Sequence, residues 1–197
     1  QVFQAGGFDA TAEMFEANFG IRPDYYVMTN FNGFTQFIDN RGGVEVNVAS
    51  DFSDRCDLPL QDANGDCYIQ QGTVHMDGAT ALWYVRARTS SNDIDRNRRE
   101  QEVLYALAKK MVSFQSITKL SKMKDEIQDN VETNMTIEQA VKLMPFVAMV
   151  LNQPEKINSI AIGEDHAYPS WSWDGMWILM PDVEAIQNLL REAGIKL

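Results

Sequence analysis

Nineteen residues, from Trp83 to Gln101, carry five of the nine arginines of this chain. The chain as a whole is acidic, with a formal net charge of -11, so this stretch is a local cationic cluster on an acidic protein. Because like charges repel, guanidinium groups that lie close together need anionic partners. The fold must therefore supply internal carboxylates or a bound anion to these side chains. The five arginines are Arg86, Arg88, Arg96, Arg98 and Arg99.

The spacing of the second half of the stretch predicts the start of a helix. Asn92 is a candidate N-cap, and Asp93 and Asp95 follow in the first turn, where the helix dipole favours acidic side chains. An apolar stripe with a period of 3.6 residues marks the inward face. Stepping back along this stripe reaches Arg96 and Arg99, which we therefore predict to face inward near the helix start. The stripe consists of Val103, Leu104, Leu107 and Met111.

The first half of the stretch leaves two interpretations open. Residues 82–87 are mostly apolar and indicate either the last turn of a helix or a short buried strand. In an extended strand, Arg86 and Arg88 would project from the same face because side chains alternate. Arg98 stands four residues before Glu102, which predicts an ion pair on the solvent side of the following helix.

Up to four guanidinium groups are thus expected to converge where a helix begins. Phosphate or pyrophosphate fits such a cluster, because arginine binds phosphate bidentately and the helix N-terminus adds backbone donors. The alternative is a set of structural salt bridges within the chain. Its partners would be Asp93, Asp95 and Glu100, and the residues alone leave both interpretations open.

The arginine stretch resembles the LytR-CpsA-Psr (LCP) family of cell-envelope phosphotransferases. The family pattern runs roughly D/N-G-x-x-A-L-x-Y-x-R-x-R, then a short gap, then D-F-G-R-x-x-R-Q-Q. Here Ile94 and Asp95 replace the usual Phe-Gly, and Glu100 replaces the first Gln. The matching residues are Asp77, Gly78, Ala81, Leu82, Tyr84, Arg86, Arg88, Asp93, Arg96, Arg99 and Gln101.

A second segment carries the same resemblance. Residues 20–34 read GIRPDYYVMTNFNGF and residues 41–48 read RGGVEVNV. Members of the family typically read G-I-P-I-D-Y-Y-V-x-V-x-F-x-G-F and L-G-G-V-E-V-x-V at these places. Because two separate stretches match, chance is a poor explanation of the likeness.

The resemblance implies a phosphotransferase. The donor would be a glycan or other envelope polymer on a polyprenyl pyrophosphate, and the acceptor a hydroxyl of a peptidoglycan-type polymer. Asp93 would orient an arginine or accept the proton of the incoming hydroxyl, with Arg96 beside it in the catalytic set. The residues expected to hold the pyrophosphate are Arg86, Arg88, Arg96, Arg99 and Gln101.

The resemblance also implies parts that these 197 residues do not supply. In the family, Mg²⁺ is held largely by upstream aspartates, so we expect no metal ligands here and weak or no activity from this chain alone. We expect residues 1–197 to form a single LCP-like domain without the N-terminal strands and membrane anchor of the family. The full-length protein would be extracytoplasmic, at the cell surface and membrane-anchored. A non-catalytic binding module for polyprenyl-pyrophosphate-linked glycans is the alternative function.

An apolar helix is predicted after Thr136, which is a candidate cap with Glu138 or Gln139 near the third position. This helix reads IEQAVKLMPFVAMVL and is apolar on most sides, which is typical of buried core. A groove for a polyprenyl chain is the alternative, because flexible methionines suit an irregular hydrocarbon ligand and the family is known for a lipid tunnel. The groove candidates are Leu143, Met144, Val147 and Met149.

The only two cysteines, Cys56 and Cys67, flank a turn-rich loop. A disulfide is the favoured interpretation and implies an oxidising, extracytoplasmic setting, with two buried thiols as the alternative. The alternation of Asp62, Asn64 and Asp66 resembles a calcium loop, but the glycine and glutamate of that motif are out of place, which favours a polar turn.

Helical and strand patterns alternate irregularly along the chain. This predicts an α/β protein with a mixed central β-sheet sandwiched between helical layers, as in the LCP family. The three tryptophans at 171–177 are expected to seal a core edge, with sugar stacking as the alternative. A sequence pI of about 4.6 argues against nucleic-acid binding. Predicted elements cover helices at 9–19, 31–40, 117–128 and after 182, and strands at 25–29, 44–48 and 157–162.

Overall fold

The computed structural model describes residues 2–88, 93–112, 131–153, 162 and 164–195. In this part of the chain six α-helices alternate with eight β-strands, which confirms the mixed α/β class. The helices are α1 (Val2–Phe19), α2 (Phe31–Asp39), α3 (Gly78–Arg86), α4 (Asp93–Val112), α5 (Ile137–Leu151) and α6 (Val183–Glu192). The strands are β1 (Val27–Thr29), β2 (Val44–Val48), β3 (Phe52–Arg55), β4 (Asp66–Ile69), β5 (Gly72–Met76), β6 (Val131–Thr133), β7 (Ala167–Trp171) and β8 (Trp177–Pro181).

The described strands pair two by two, and every pair is antiparallel. The pairs are β1 with β6, β2 with β5, β3 with β4 and β7 with β8. These pairs do not by themselves show a mixed central sheet between two helical layers, which stays a prediction. The predicted segments at 117–128 and 157–161 lie outside the described residues.

The chain divides into two compact units, which are described separately. One comprises residues 27–154 and is called the arginine unit here; the other comprises residues 1–26 and 155–197 and is called the terminal unit. The single domain predicted for residues 1–197 stays a prediction.

The core of the arginine unit forms around β2. Its residues alternate between buried and exposed positions, as period two requires, and the three buried valines pack against α2, α3 and α4. The inward face of α4 differs from the prediction at one position, because Leu104 is exposed and Ala106 is buried instead. The buried positions of α4 are Arg99, Val103, Ala106 and Leu107.

A close crossing of α2 and α3 sets the geometry on which the site depends. Asp77 caps α3 by accepting a hydrogen bond from the Thr80 backbone. Gly78 follows, and its N–H donates to Asp39 at 2.7 Å, which ties the start of α3 to the end of α2. A Cβ at Gly78 would lie 2.6 Å from the Cα atom of Thr35, so only glycine permits this approach.

The terminal unit contains α1, the β7–β8 hairpin and α6. Gly6 and Gly7 interrupt α1 with non-helical backbone, and Gly20 ends it in the left-handed conformation, so the predicted helix at 9–19 is confirmed. Asp182 caps α6 through the Ala185 backbone. The prediction that the tryptophans seal a core edge is wrong in this unit, since Trp173 at the hairpin tip is 98% exposed and the other two tryptophans are also exposed.

Candidate functional site

Arg99 joins the two segments that carry the arginines. Its side chain is fully buried, with an exposed fraction of 0%. Nε donates to the carbonyl oxygen of Tyr84 at 2.7 Å, and Nη2 donates to that of Ala87 at 2.6 Å. Both carbonyls belong to the C-terminal end of α3, where backbone acceptors lack helical partners and the dipole favours a cation. The first turns of α4 are thereby fastened to the last turn of α3.

The rest of the Arg99 guanidinium lies against aromatic rings. Its Cζ atom is 4.3 Å from the ring centroid of Phe52 and 5.8 Å from that of Tyr84. Burial lowers the pKa of Arg99 from its usual value, and the neighbouring Tyr84 and Asp95 oppose that shift. Nη1 is buried and has no hydrogen-bond partner in the described part of the chain. The predicted inward orientation of Arg99 is confirmed.

Arg86 and Arg88 lie at the end of α3. The strand alternative for this segment is wrong, because α3 continues to Arg86 and Ala87 is its C-cap, with φ -58° and ψ 132°. Both arginines are exposed. The Arg86 guanidinium carbon lies over the ring of Phe31, 4.1 Å from its centroid.

Arg96 lies in the first turns of α4, as predicted. Its side chain is 26% exposed, and its Nε atom is 3.4 Å from Oε1 of Glu100, one turn further along the helix. This ion pair is one of the internal salt bridges that the sequence left open as an alternative. Glu100 stands where the family pattern given above has glutamine, and its negative charge makes this contact an ion pair.

A carboxylate network supports the same junction from the other side of α4. Glu102 is 12% exposed, and its Oε2 atom accepts a hydrogen bond from the Tyr84 hydroxyl at 2.6 Å. Oε1 accepts from the Ala49 backbone at 3.3 Å and lies 4.0 Å from Nε of Arg98. Burial, together with the bond to Glu102, raises the pKa of Tyr84. The predicted Arg98–Glu102 pair is confirmed, but its carboxylate is mostly buried and does not lie on the solvent side.

Two predicted site residues remain without a described contact. Asp93 begins α4, and its side chain lies outside the described part of the structure, as does the candidate cap Asn92. Gln101 is exposed on α4. Their roles as catalytic and ligand-contacting groups stay predictions.

The cysteine loop closes the β3–β4 hairpin. Cys56 and Cys67 form a disulfide, which confirms the predicted pairing. Asp62 accepts hydrogen bonds from the backbone of Asn64 and Asp66, which makes the loop a polar turn. Among the described residues no three His, Cys, Asp or Glu side chains come together as a metal site.

Helix α5 has the capping box that its sequence predicts, with Thr136 and Gln139 exchanging hydrogen bonds. The prediction that it is buried core is wrong, because none of its residues is buried. Its contact with α4 leaves its side chains half-buried at most, and Tyr105 of α4 donates from its hydroxyl to the carbonyl of Leu151 at 3.0 Å. Of the groove candidates, Leu143 and Met149 are exposed, while Met144 and Val147 are half-buried.

The arginine site lies in a chain whose sequence matches a known protein family. The sequence profile of the LytR_cpsA_psr family matches residues 1–193. The chain belongs to the LytR-CpsA-Psr family. None of the helices in the described part of the chain has the length and apolarity that crossing a membrane requires.

Two relatives from Bacillus subtilis (strain 168) are named as polyisoprenyl-teichoic acid–peptidoglycan teichoic acid transferases. TagV is 32% identical over 168 residues, which cover 84% of this chain and 42% of TagV. TagT is 34% identical over 142 residues, which cover 72% of this chain and 44% of TagT. This chain thus spans less than half the length of either relative.

Solved structures show the same fold. The crystal structure of B. subtilis TagV superposes with a TM-score of 0.72 at 27% identity, covering 100% of this chain and 74% of the TagV chain. A structure described as TagT bound to LI-WTA gives a TM-score of 0.65 at 26% identity, covering 98% of this chain and 70% of the other. The fold is therefore that of the LCP structures.

Proposed function

We propose that this chain is the larger part of an LCP-type transferase domain. The enzyme would move a phosphoglycosyl or glycopolymer group from a polyprenyl-pyrophosphate-linked donor to a hydroxyl of a peptidoglycan-type wall polymer. The names of TagV and TagT support the reaction class, and the structure of TagT bound to LI-WTA supports a lipid-linked glycan as ligand.

The observation that carries this proposal is the junction of α3 and α4. Arg99 bonds the backbone at Tyr84 and Ala87, so the segment with Arg86 and Arg88 is held beside the helix that carries Arg96. Phosphoryl transfer depends mainly on positioning and on neutralising charge, which clustered guanidinium groups provide. The pyrophosphate would bind to Arg86, Arg88 and Arg96, with Arg99 and Gln101 completing the set.

The proposed step is a displacement at phosphorus. The hydroxyl oxygen of the acceptor forms a bond to the phosphorus that carries the glycan, and its proton passes to the Asp93 carboxylate. The bond between this phosphorus and the bridging oxygen breaks. Polyprenyl phosphate then leaves with the bonding electrons, and the arginines stabilise the charge that collects on its oxygens.

The proposal also assigns a place to the lipid, a role to Mg²⁺ and a location to the protein. The polyprenyl chain would lie along α5, whose apolar side chains are exposed or half-buried. Mg²⁺ would neutralise the diphosphate through ligands mostly outside this chain. The complete domain would have a central sheet between helical layers and would be anchored to the membrane on its outer side, where the disulfide is stable.

A non-catalytic binding module is the second candidate, and the Arg96–Glu100 ion pair favours it. A carboxylate 3.4 Å from Arg96 competes with a phosphate for the same guanidinium. A protein that had lost turnover could retain such a pair and still bind the diphosphate through its other arginines.

The test uses the full-length protein with Mg²⁺, a radiolabelled polyprenyl-diphosphate disaccharide and isolated peptidoglycan. Both the labelled polymer and the released polyprenyl phosphate are measured. We expect turnover, and a loss of about 100-fold or more in Arg88→Ala, because that variant removes a transition-state cation. Arg41→Ala, outside the site, is the matched control and should retain wild-type turnover. Binding without turnover would favour the module, and absence of binding would contradict both candidates.

A further inference from the structure

An aromatic ring underlies one of the exposed arginines of the site. Phe31 is the first residue of α2, and the Cζ atom of Arg86, in the last turn of α3, lies 4.1 Å from its ring centroid. Phe31 remains 56% exposed, so burial in the core does not account for its position. The contact instead joins two helices that are far apart in the sequence.

The backbones on both sides of this contact are held in place. Asn30 caps α2 by accepting a hydrogen bond from the Gly33 N–H at 2.7 Å, which sets the direction in which Phe31 leaves the chain. The α2–α3 crossing is closed by Gly78 against Thr35, as described above. The Phe31 ring therefore has a fixed position relative to Arg86, because both helices are anchored.

A guanidinium over an aromatic face retains its hydrogen-bonding capacity. Its five N–H donors point outward in its own plane, and the ring covers only one face. Ordering an arginine side chain costs rotamer freedom, and a cation–π contact is favourable even at an exposed site. The stack thus meets part of the entropic cost of ordering Arg86 before a ligand arrives.

We infer that Phe31 is a positioning residue that holds the Arg86 guanidinium by one face and so directs its N–H edge to a diphosphate. This inference rests on the proposed function, which assigns the diphosphate to the arginine site. Phe31 acts through Arg86 and does not itself contact the reacting atoms.

A second arginine–phenylalanine contact, outside the arginine site, has a local structural explanation. Arg41 lies over the ring of Phe37 at 3.6 Å, and its Nη1 atom donates to the Phe37 carbonyl at 2.8 Å. Phe37 lies in the last turn of α2 and Arg41 follows that helix by two residues, so the arginine satisfies a backbone acceptor at the helix end. Arg86 is a different case because its contact spans two elements, and Arg41 supplies a matched control for the experiment.

The experiment measures the Kd of geranylgeranyl diphosphate, with Mg²⁺, for the full-length protein by calorimetry. Phe31→Leu keeps an apolar side chain but removes the π face, whereas Phe31→Trp enlarges that face. We expect Phe31→Leu to weaken binding about 3–5-fold and Phe31→Trp to bind within about twofold of wild type or tighter. In an Arg86→Gln background, Phe31→Leu should have no further effect, and Arg41→Gln should bind as wild type does.

A ligand-independent measurement accompanies the titration. The Arg86 Nε–H resonance should carry an aromatic ring-current shift in the wild-type spectrum and lose it in Phe31→Leu. Equal affinity of the wild type, Phe31→Leu and Phe31→Trp would overturn the inference alone. A Phe31→Leu effect that persists in the Arg86→Gln background would also overturn it, because Phe31 would then act independently of Arg86. Failure of the wild-type protein to bind the diphosphate would overturn the proposed function and this inference together.

Discussion

Helices α4 and α5 of the arginine unit use their side chains in opposite ways. Helix α4 is rich in charged residues, yet it buries Arg99 completely together with the apolar side chains next to it. Helix α5 is apolar on most sides, yet none of its residues is buried, and Met149 is 53% exposed. Hydrophobic content alone therefore does not decide which helix lies in the core.

The difference follows from the contacts that each helix makes with its neighbours. The C-terminal carbonyls of α3 need donors, and the buried guanidinium of Arg99 supplies two of them. Among the described elements helix α5 packs against α4, and its exposed apolar side chains are suited to a hydrocarbon ligand. On this account α4 holds the charged part of the site together, and the exposed apolar side chains of α5 would contact the proposed lipid chain.

The largest effect expected from this comparison is the loss of the buried arginine. Arg99→Ala leaves the carbonyls of Tyr84 and Ala87 without donors and opens a cavity. We expect the free energy of unfolding to fall by about 3–5 kcal/mol, measured by urea denaturation. Lys109→Ala, at an exposed position of the same helix, should change it by less than about 0.5 kcal/mol. Equal, small effects for both variants would mean that Arg99 does not fasten α3 to α4.

Reduction of the disulfide should destabilise the arginine unit by a similar or slightly smaller amount than Arg99→Ala does. Cys56 and Cys67 close the hairpin whose strand β3 carries Phe52, the ring under Arg99. Reduction should lower the free energy of unfolding by about 3 kcal/mol, because the closed loop restricts the unfolded chain. The measurement is urea denaturation with and without reductant, with a Cys56→Ser/Cys67→Ser variant as the control that reductant must not affect. Unchanged stability of the wild-type protein under reduction would contradict this prediction.

The smallest effect on stability is expected on α5. Phe146→Ser and Met149→Gln replace exposed apolar side chains, so each should change the free energy of unfolding by less than about 0.5 kcal/mol. The same variants should weaken binding of a polyprenyl diphosphate while leaving binding of inorganic pyrophosphate unchanged. A destabilisation of more than about 2 kcal/mol would show that α5 is packed in solution, and the contrast with α4 would then fail.

The elements that sequence reasoning predicted are those with local signals. The alternation of buried valines marks β2, and its predicted bounds, Val44–Val48, are the observed ones. The capping box at Thr136 marks the start of α5. The two cysteines could be paired because no other cysteine competes for them.

The parts that were missed depend on contacts between distant segments. Nothing in the spacing near Arg99 indicates that its donors go to backbone carbonyls, because that depends on how α3 meets α4. The contact of Phe31 with Arg86 and that of Tyr84 with Glu102 are also tertiary. Phe31 and Tyr84 both match positions of the family pattern, which was the one available signal. The exposure of α5 was missed because periodicity reports which sides are apolar and not which neighbours cover them.

The central claim is that the junction of α3 and α4 binds a lipid-linked diphosphate. Its most direct test is the Kd of geranylgeranyl diphosphate for the wild-type full-length protein and for Arg86→Gln, with Arg41→Gln as the control. The account predicts binding by the wild type and the control, and a loss of about tenfold or more in Arg86→Gln, equivalent to about 1.4 kcal/mol. Equal binding by all three proteins would contradict it.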